Sequence, residues 1–319
     1  MKSKDLSKFS IRSDIALDLI DTNNSNIIKE KYDDILVTTI NVDDDIKREI
    51  NKEKGIYITI EFNDVTDYTN REKVGKILEK EIKKVLKLKK IKEDDSVLVI
   101  GLGNINSTPD ALGPKTIDNL VITRHLHLLN LLEKGFRVVS SITPGVMAST
   151  GMETSEVVSE IIKLVKPKFV IVIDSLASSS INRLNKTIQI TDTGIHPGSG
   201  IGNNRKEISE KLFNIPIIAI GIPTVVDSSV LVNDTINYFY EYIEKINNKK
   251  LEDNDKENLL GIIGTLKEED KISFIKEVLN NKDNNLIVTP KEIDFLIDLF
   301  SDILSSSLNN SLHRQINHY

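Results

Sequence analysis

The sequence contains no cysteine. Disulfide bonds, thiolate metal ligands and a cysteine nucleophile are therefore excluded. Tryptophan is also absent, while asparagine, isoleucine and lysine are abundant, and this bias indicates nucleotide composition rather than a function. Any chemistry that the protein performs must use other groups.

Long apolar runs are lacking as well. No stretch approaches the roughly 18 apolar residues of a membrane span, and the first ten residues carry no apolar segment typical of a secretion signal. The formal net charge is -6, from 42 basic and 48 acidic residues spread along the chain, so no basic region stands out as a nucleic-acid footprint. We expect a soluble, cytoplasmic protein with no membrane partner and no direct nucleic-acid partner.

Three apolar runs predict buried parallel strands, at residues 96–104, 169–174 and 215–221. Helical periodicity lies before and between them, at 69–90, 115–133 and 153–165. A chain of 319 residues with 39% hydrophobic composition can bury a sizeable core. The alternation of strand and helix predicts an α/β fold in which helices cover both faces of a parallel sheet.

The end of the chain is predicted to be helical, at 276–279 and 290–308, with Thr289 as N-cap and Pro290 at the first helical position. An alternating strand is predicted at 56–62. The polar, charged stretch 249–255 is typical of an exposed insertion. We expect one α/β domain over most of the chain.

Two carboxylates stand where open α/β sheets place their ligands, beyond the carboxyl ends of parallel strands. Asp110 follows the first apolar run and Asp174 ends the second. Two neighbouring carboxylates share a proton, so one can act as acid while the other activates water. Structural roles remain open for both, because Pro109 favours a turn or a helix cap at Asp110 and aspartates are common at strand ends.

Other catalytic patterns are missing or incomplete. Gly101 and Gly103 suggest a dinucleotide loop, but Asn106 stands at the third glycine position and Pro109 disturbs the helix start, so a tight turn with close backbone approach is favoured. Neither His-Glu-x-x-His nor Gly-x-Ser-x-Gly occurs. The glycine-rich loop 192–203 is either functional or simply mobile, and we keep Asp192 and His196 as candidate active-site residues there.

Several motifs, in order along the chain, resemble those of the germination proteases of Bacillus and Clostridium relatives. They are 99–104 with Thr-Pro-Asp-Ala-Leu-Gly-Pro at 108–114, 173–177, 187–190 with 192–200, and 221–227. The resemblance extends from residues 10–16 to residues 289–293 and is weaker at 20–55 and 248–285. It implies a three-layer α/β/α sandwich with a mainly parallel sheet, similar to the hydrogenase maturation peptidases.

The resemblance implies an endopeptidase that degrades small acid-soluble spore proteins in the spore core during germination. It also implies a homotetrameric zymogen without cofactor that removes its own pro-segment, with essential aspartates at Asp110 and Asp174. Family members cut after an acidic residue and before isoleucine or phenylalanine followed by alanine, and Asp14-Ile15-Ala16 has this form. We therefore expect cleavage between Asp14 and Ile15, a pro-segment of residues 1–14, and a single peptidase domain over 15–319.

The sequence departs from the family pattern at two places, and two alternative functions stay open. Ser175 stands where alanine is expected, and serines occupy 178–180 where arginine is usual. Because the hydrogenase maturation peptidases use a metal, the first alternative is a metal-dependent peptidase with Asp110, Asp174 and His196 as ligands. The second is a binding protein for spore proteins with a decayed active site, which the intact aspartates and the intact junction at Asp14 argue against.

Overall fold

The computed structural model describes residues 13–20, 26–195, 206–280 and 286–318. The strands are β1 (Ile27–Tyr32), β2 (Ile35–Val42), β3 (Gly55–Glu61), β4 (Val97–Gly101), β5 (Val139–Ile142), β6 (Phe169–Ser178), β7 (Thr187–Thr191), β8 (Ile217–Asp227) and β9 (Ile287–Val288). The α-helices are α1 (Asp44–Ile50), α2 (Tyr68–Leu88), α3 (Leu112–Asp118), α4 (Arg124–Leu128), α5 (Met147–Thr150), α6 (Thr154–Val165), α7 (Glu210–Phe213), α8 (Ser228–Asn247), α9 (Asp253–Leu260), α10 (Ile262–Thr265), α11 (Glu268–Asn280) and α12 (Ile293–Leu312). Short 3-10 helices span Ala16–Asp18, Thr108–Asp110, Ile181–Arg183 and Arg314–His318.

One mixed sheet of nine strands, counted over the described ranges, organises the fold. Its order is β1-β2-β3-β7-β8-β6-β4-β5, with β9 beside the end of β8. The neighbours β5, β4, β6 and β8 are parallel, and the remaining pairs are antiparallel. The α/β prediction is confirmed: the three predicted apolar runs form β4, β6 and β8, and the structure adds an antiparallel part.

Helices cover both faces of the sheet. The strands β4 and β6 are buried almost throughout, as expected of parallel strands with a helix layer on either side. On one face, Ile171 and Ile173 pack in a core that includes Leu78 of α2 and Phe300 of α12. On the other face, Val170 and Val172 pack with Val158 of α6. The alternation of side chains along β6 therefore separates two helix layers.

Two predicted helical features were wrong. Only the short helices α3 and α4 form within 115–133, because Thr123, which lies between them, is tied to the start of β5. Its hydroxyl donates to the carbonyl of Arg137 at 2.5 Å and accepts the N–H of Val139 at 2.8 Å. Thr289 does not cap α12, which begins at Ile293 after Glu292. The Thr289 hydroxyl instead donates to the carbonyl of Thr224 at 2.8 Å.

A buried histidine fixes the segment after α12. The Nδ1 atom of His313 accepts the backbone N–H of Arg137 at 3.2 Å, so Nε2 carries the proton and faces the carbonyl of Val121 at 3.1 Å. Burial lowers the pKa of His313 below its ordinary value. Protonation in the folded state would add a buried charge and remove the acceptor for Arg137.

This lowered pKa predicts a pH dependence of stability. Between the folded-state pKa and the ordinary value of 6.5, the unfolded chain binds more protons than the folded chain. The free energy of unfolding should therefore fall as the pH drops below about 6.5 and recover as it rises. Urea unfolding between pH 5 and 8 should show a weaker dependence for His313→Gln than for the parent. His125→Gln, at an exposed position in α4, is the control and should keep the parental slope.

Candidate active site

A tight turn after β4 positions Asp110. The backbone N–H of Asn104 donates to the carbonyl of Asp110 at 2.9 Å, and a Cβ atom on Gly103 would lie 2.0 Å from that same oxygen. Gly103 also has a φ of 113°, which side-chain-bearing residues rarely adopt. The hydroxyl of Thr224 on β8 holds the loop from the other side by donating to the carbonyl of Pro109 at 2.7 Å. The predicted close backbone approach at this turn is confirmed.

Asp174 lies on β6 directly after the last residue that pairs with β4. The last residue of β4, Gly101, pairs with Ile173, so Asp174 is the first residue of β6 beyond its neighbour. The sequence-based expectation that the strand ends at Asp174 was wrong, because β6 continues to Ser178 alongside β8. The predicted sheet edge is nevertheless present at this point, and it is formed by the end of β4.

The two aspartates line one cavity of about 350 Å³. Asp14, the residue before the predicted processing site, lines the same cavity. Its other lining residues are Leu102, Gly103, Ser107, Pro109, Gly145, Val146, Thr154, Ser175, Leu176, Ala177, Thr224, Val225, Ile287 and Thr289. The structure thus brings together Asp110, Asp174 and Asp14, which are far apart in sequence.

The segment around Asp14 docks on the part of β6 that extends beyond β4. The backbone N–H of Asp14 donates to the carbonyl of Ala177 at 3.0 Å, and the N–H of Ala177 donates to Oδ2 of Asp14 at 2.9 Å. Ile15 and Ala16 are both 0% exposed and belong to an apolar cluster that includes Leu176. Backbone hydrogen bonding to a strand, combined with side chains in pockets, is a recurring way of binding a peptide. Here it occurs at Asp14, just before the chain turns into the 3-10 helix Ala16–Asp18.

Two side chains contact the carbonyl oxygen of Asp14. Nε2 of Gln189 donates to it at 2.9 Å, and Nζ of Lys52 lies 3.2 Å away while also donating to the carbonyl of Ser13 at 2.8 Å. Oε1 of Gln189 accepts the N–H of Ala16 at 2.7 Å. Burial lowers the pKa of Lys52, although the carboxylates of Asp14 and Asp18 act to raise it.

Sequence reasoning missed both of these contacts. Gln189 carried a usable signal, since it is a lone amide between Ile188 and Ile190 in a buried strand. A buried polar side chain in such a position needs hydrogen-bond partners and therefore indicates a specific contact. Lys52, in the loop between α1 and β3, could not be recognised from the sequence, because the surrounding sequence is rich in lysine.

Asp18 anchors the far end of the docked segment. Its carboxylate accepts hydrogen bonds from the hydroxyls of Ser13 at 2.5 Å and Ser178 at 3.0 Å and from the N–H of Ser179 at 2.8 Å, and it pairs with Arg183 at 2.5 Å. Two of the serines that depart from the family pattern, Ser178 and Ser179, thus donate hydrogen bonds to Asp18. Arg183, which follows the serine run in sequence, supplies a guanidinium group to the same carboxylate.

The structure places Asp192 away from the cavity. One carboxylate oxygen accepts the N–H of Ile56 at 2.7 Å and the other lies 3.6 Å from Lys89, so Asp192 supports the start of β3. His196 lies outside the described residues. Across the ranges that are described, no group of three or more histidine, aspartate or glutamate side chains is arranged to hold a metal ion.

Comparison with known proteins identifies the family to which the chain belongs. A family described as germination protease matches residues 16–252 and 244–319. A germination protease of Geobacillus sp. (strain WCH70) is 41% identical, with 99% of this chain and 97% of the relative covered. One from Priestia megaterium is 40% identical, with the same coverage. The protein is therefore a peptidase. It belongs to the germination protease family, whose name assigns it to spore germination.

One solved structure is also similar in part. A NiFe hydrogenase maturation protease from Thermococcus kodakarensis aligns with 41% of this chain and 74% of its own length, at 16% identity and a TM-score of 0.27.

None of the helices in the described parts of the chain is long and apolar enough to cross a membrane.

Proposed function

We propose that the chain is the zymogen of an endopeptidase that degrades small acid-soluble spore proteins in the spore core. Asp110 and Asp174 form its acid and base pair, and its first substrate is its own bond between Asp14 and Ile15. Residues 1–14 are then the pro-segment and residues 15–319 the peptidase domain. The observation that carries this proposal is the presence of Asp14 in the cavity that Asp110 and Asp174 line.

The proposed reaction needs one proton on the pair of aspartates. The ionised carboxylate removes a proton from water as the water oxygen attacks the carbonyl carbon of Asp14. The protonated carboxyl then gives its proton to the nitrogen of Ile15 as the C–N bond breaks. Which of the two aspartates holds the proton is a property of the pair rather than of either residue.

The contacts around the junction support the proposed specificity. The carboxylate of Asp14 receives the N–H of Ala177 and lies in the field of Lys52, which favours an acidic residue before the cut. Ile15 fills an apolar pocket, which favours an apolar residue after it. Ala16 is fully buried and leaves no room for a larger side chain without rearrangement.

Mass spectrometry of the purified precursor tests this proposal. Incubation should release residues 1–14 and leave a chain that begins with Ile15, and the processed protein should cut an acidic spore protein after acidic residues. Asp14→Lys should block processing, whereas Asp5→Lys, with the same charge change outside the junction, should not. Cleavage at another bond, or no cleavage of either substrate, would refute the proposal.

Exhaustive treatment with EDTA separates this function from the metal-dependent alternative. Processing by the two aspartates alone should continue at the untreated rate. Loss of processing that Zn²⁺ or Mn²⁺ restores would establish the metal-dependent peptidase instead. The tetramer implied by the resemblance is part of the proposal, and analytical ultracentrifugation of the precursor measures it.

A further inference from the structure

The carbonyl oxygen of Asp14 is held by side chains from two separate elements. Gln189 projects from β7 and Lys52 from the loop after α1, and their donor nitrogens lie 2.9 Å and 3.2 Å from that oxygen. A peptide carbonyl with an amide and an ammonium group directed at it is polarised, since both groups interact more strongly as negative charge develops on the oxygen.

The register of the sheet explains why Gln189 reaches this carbonyl. Gly221 on β8 pairs with Asp174 on one side and with Gln189 on the other, so the three residues form a row across the sheet. Directly paired residues project to the same face, and two strand spacings separate Asp174 from Gln189 by about 10 Å. Gly221 has no side chain, and the side chain of Leu176 fills the space above it and packs in the same apolar cluster as Ile15 and Ala16.

Gln189 also fixes the orientation of the peptide. Its Oε1 accepts the N–H of Ala16 while its Nε2 donates to the carbonyl of Asp14, so one planar amide spans the bond between Asp14 and Ile15. Its side chain is buried, and it pairs through the backbone with Gly221 and Thr59 on the adjacent strands. A group held in this way loses little freedom when the reaction occurs.

Lys52 differs from the lysines beside it in sequence. Lys47 pairs with Glu53 at 2.8 Å, and Lys54 pairs with Asp44 at 2.9 Å, both with exposed side chains. Nζ of Lys52 is directed instead at two backbone carbonyls of the docked segment. The left-handed conformation of Asn51, at the C-terminus of α1, sets the direction of the loop that carries Lys52.

We infer that Lys52 and Gln189 are catalytic residues that form the oxyanion-binding site of this peptidase. The inference rests on the proposed function. As the water oxygen bonds to the carbonyl carbon of Asp14, the carbonyl π electrons move to its oxygen, and the ammonium and amide groups stabilise that negative charge. When the C–N bond breaks, those electrons return to the C=O bond and the nitrogen of Ile15 takes a proton from the acid of the pair.

The test compares Lys52→Met and Gln189→Met with Lys47→Met and Lys54→Met as matched controls. Because Asp14 lies in the cavity of its own chain, we expect processing of the precursor to be intramolecular, so that its first-order rate reports chemistry rather than substrate capture. Each of the first two changes should slow it by about 10²–10³-fold, the usual effect of losing one oxyanion donor. The two control variants should process at the parental rate, and Lys52→Arg should recover much of the loss.

The kinetics of a separate substrate distinguish a catalytic role of these two residues from a structural one. For a separate peptide containing Asp-Ile-Ala, the lost donor should lower kcat and leave KM within about threefold, because the contact strengthens only as charge develops. If Lys52→Met or Gln189→Met fails to fold in urea titrations, Lys52→Gln or Gln189→Glu takes its place. Lys52→Gln removes the positive charge and keeps a polar side chain, and Gln189→Glu removes the amide donor at the same side-chain length. Parental processing rates in the folded variants, or an effect confined to KM, would overturn the inference. In that case the proposed function stands if the parent precursor is cut between Asp14 and Ile15 and the Asp110 and Asp174 variants are inactive. It fails if the parent is not cut at that bond or if the two aspartate variants keep the parental activity.

Discussion

Asp110→Asn and Asp174→Asn should each stop self-processing and substrate cleavage, with rates reduced on the order of 10⁴-fold, the upper range for loss of a general acid or base. Asparagine keeps the shape of the side chain but can neither accept the proton of water nor supply one to the leaving nitrogen. Both aspartates line the cavity that contains Asp14, so the change acts at the proposed reacting bond. Time courses of the precursor, read by intact mass, measure the effect.

The matched control is Asp192→Asn, because the Asp192 carboxylate bonds to Ile56 outside the cavity. This variant should process normally when folded. The double variant of Asp110 and Asp174 should be hardly slower than either single variant, since residues that act as one unit show strongly non-additive effects. Normal activity in either single variant would remove that residue from the mechanism, and additive losses would mean that the two carboxylates act in separate steps.

The parallel half of the sheet could be predicted because the apolar composition of its strands shows that they are buried. Unbroken apolar runs occur where both faces of a strand are covered, as in β4 and β6, and the first residues past such runs lie at the ligand-binding edge. From these positions the sequence indicated that Asp110 and Asp174 can converge at one edge of the sheet, while structural roles for both stayed open. The exact strand end was not predictable, since β6 continues beyond Asp174 only because β8 remains beside it.

The antiparallel half was harder to foresee for a different reason. Strands β1 and β2 form a hairpin through Asp33 and Asp34, and β1 is largely exposed, so its apolar pattern is weak. Several contacts of the docked segment join residues that are more than 160 positions apart, as between Asp14 and Ala177. Such pairing follows from sheet order, and no local pattern encodes it.

Gly103→Ala should damage the site through the backbone rather than through any ionisable group. The added Cβ atom would lie 2.0 Å from the carbonyl oxygen of Asp110, and alanine at a φ of 113° is strained even without that contact. The turn must open, which breaks the hydrogen bond from Asn104 and displaces Asp110. We expect a loss of about 2–4 kcal/mol in the free energy of unfolding, by adding backbone strain to overpacking, and at least about 10²-fold slower processing.

Gly151→Ala is the appropriate comparison, because Gly151 also has a positive φ, of 71°, but no atom lies within 4 Å of the position that the added methyl group would take. It should cost about 1 kcal/mol of stability and leave processing unchanged. Urea unfolding gives the stability of each variant, and the processing rate is compared at conditions where both are folded. If Gly103→Ala were destabilised yet processed at the parental rate, the turn would be needed for folding alone. A large loss of rate in a folded Gly103→Ala protein would instead tie the position of Asp110 directly to the chemistry.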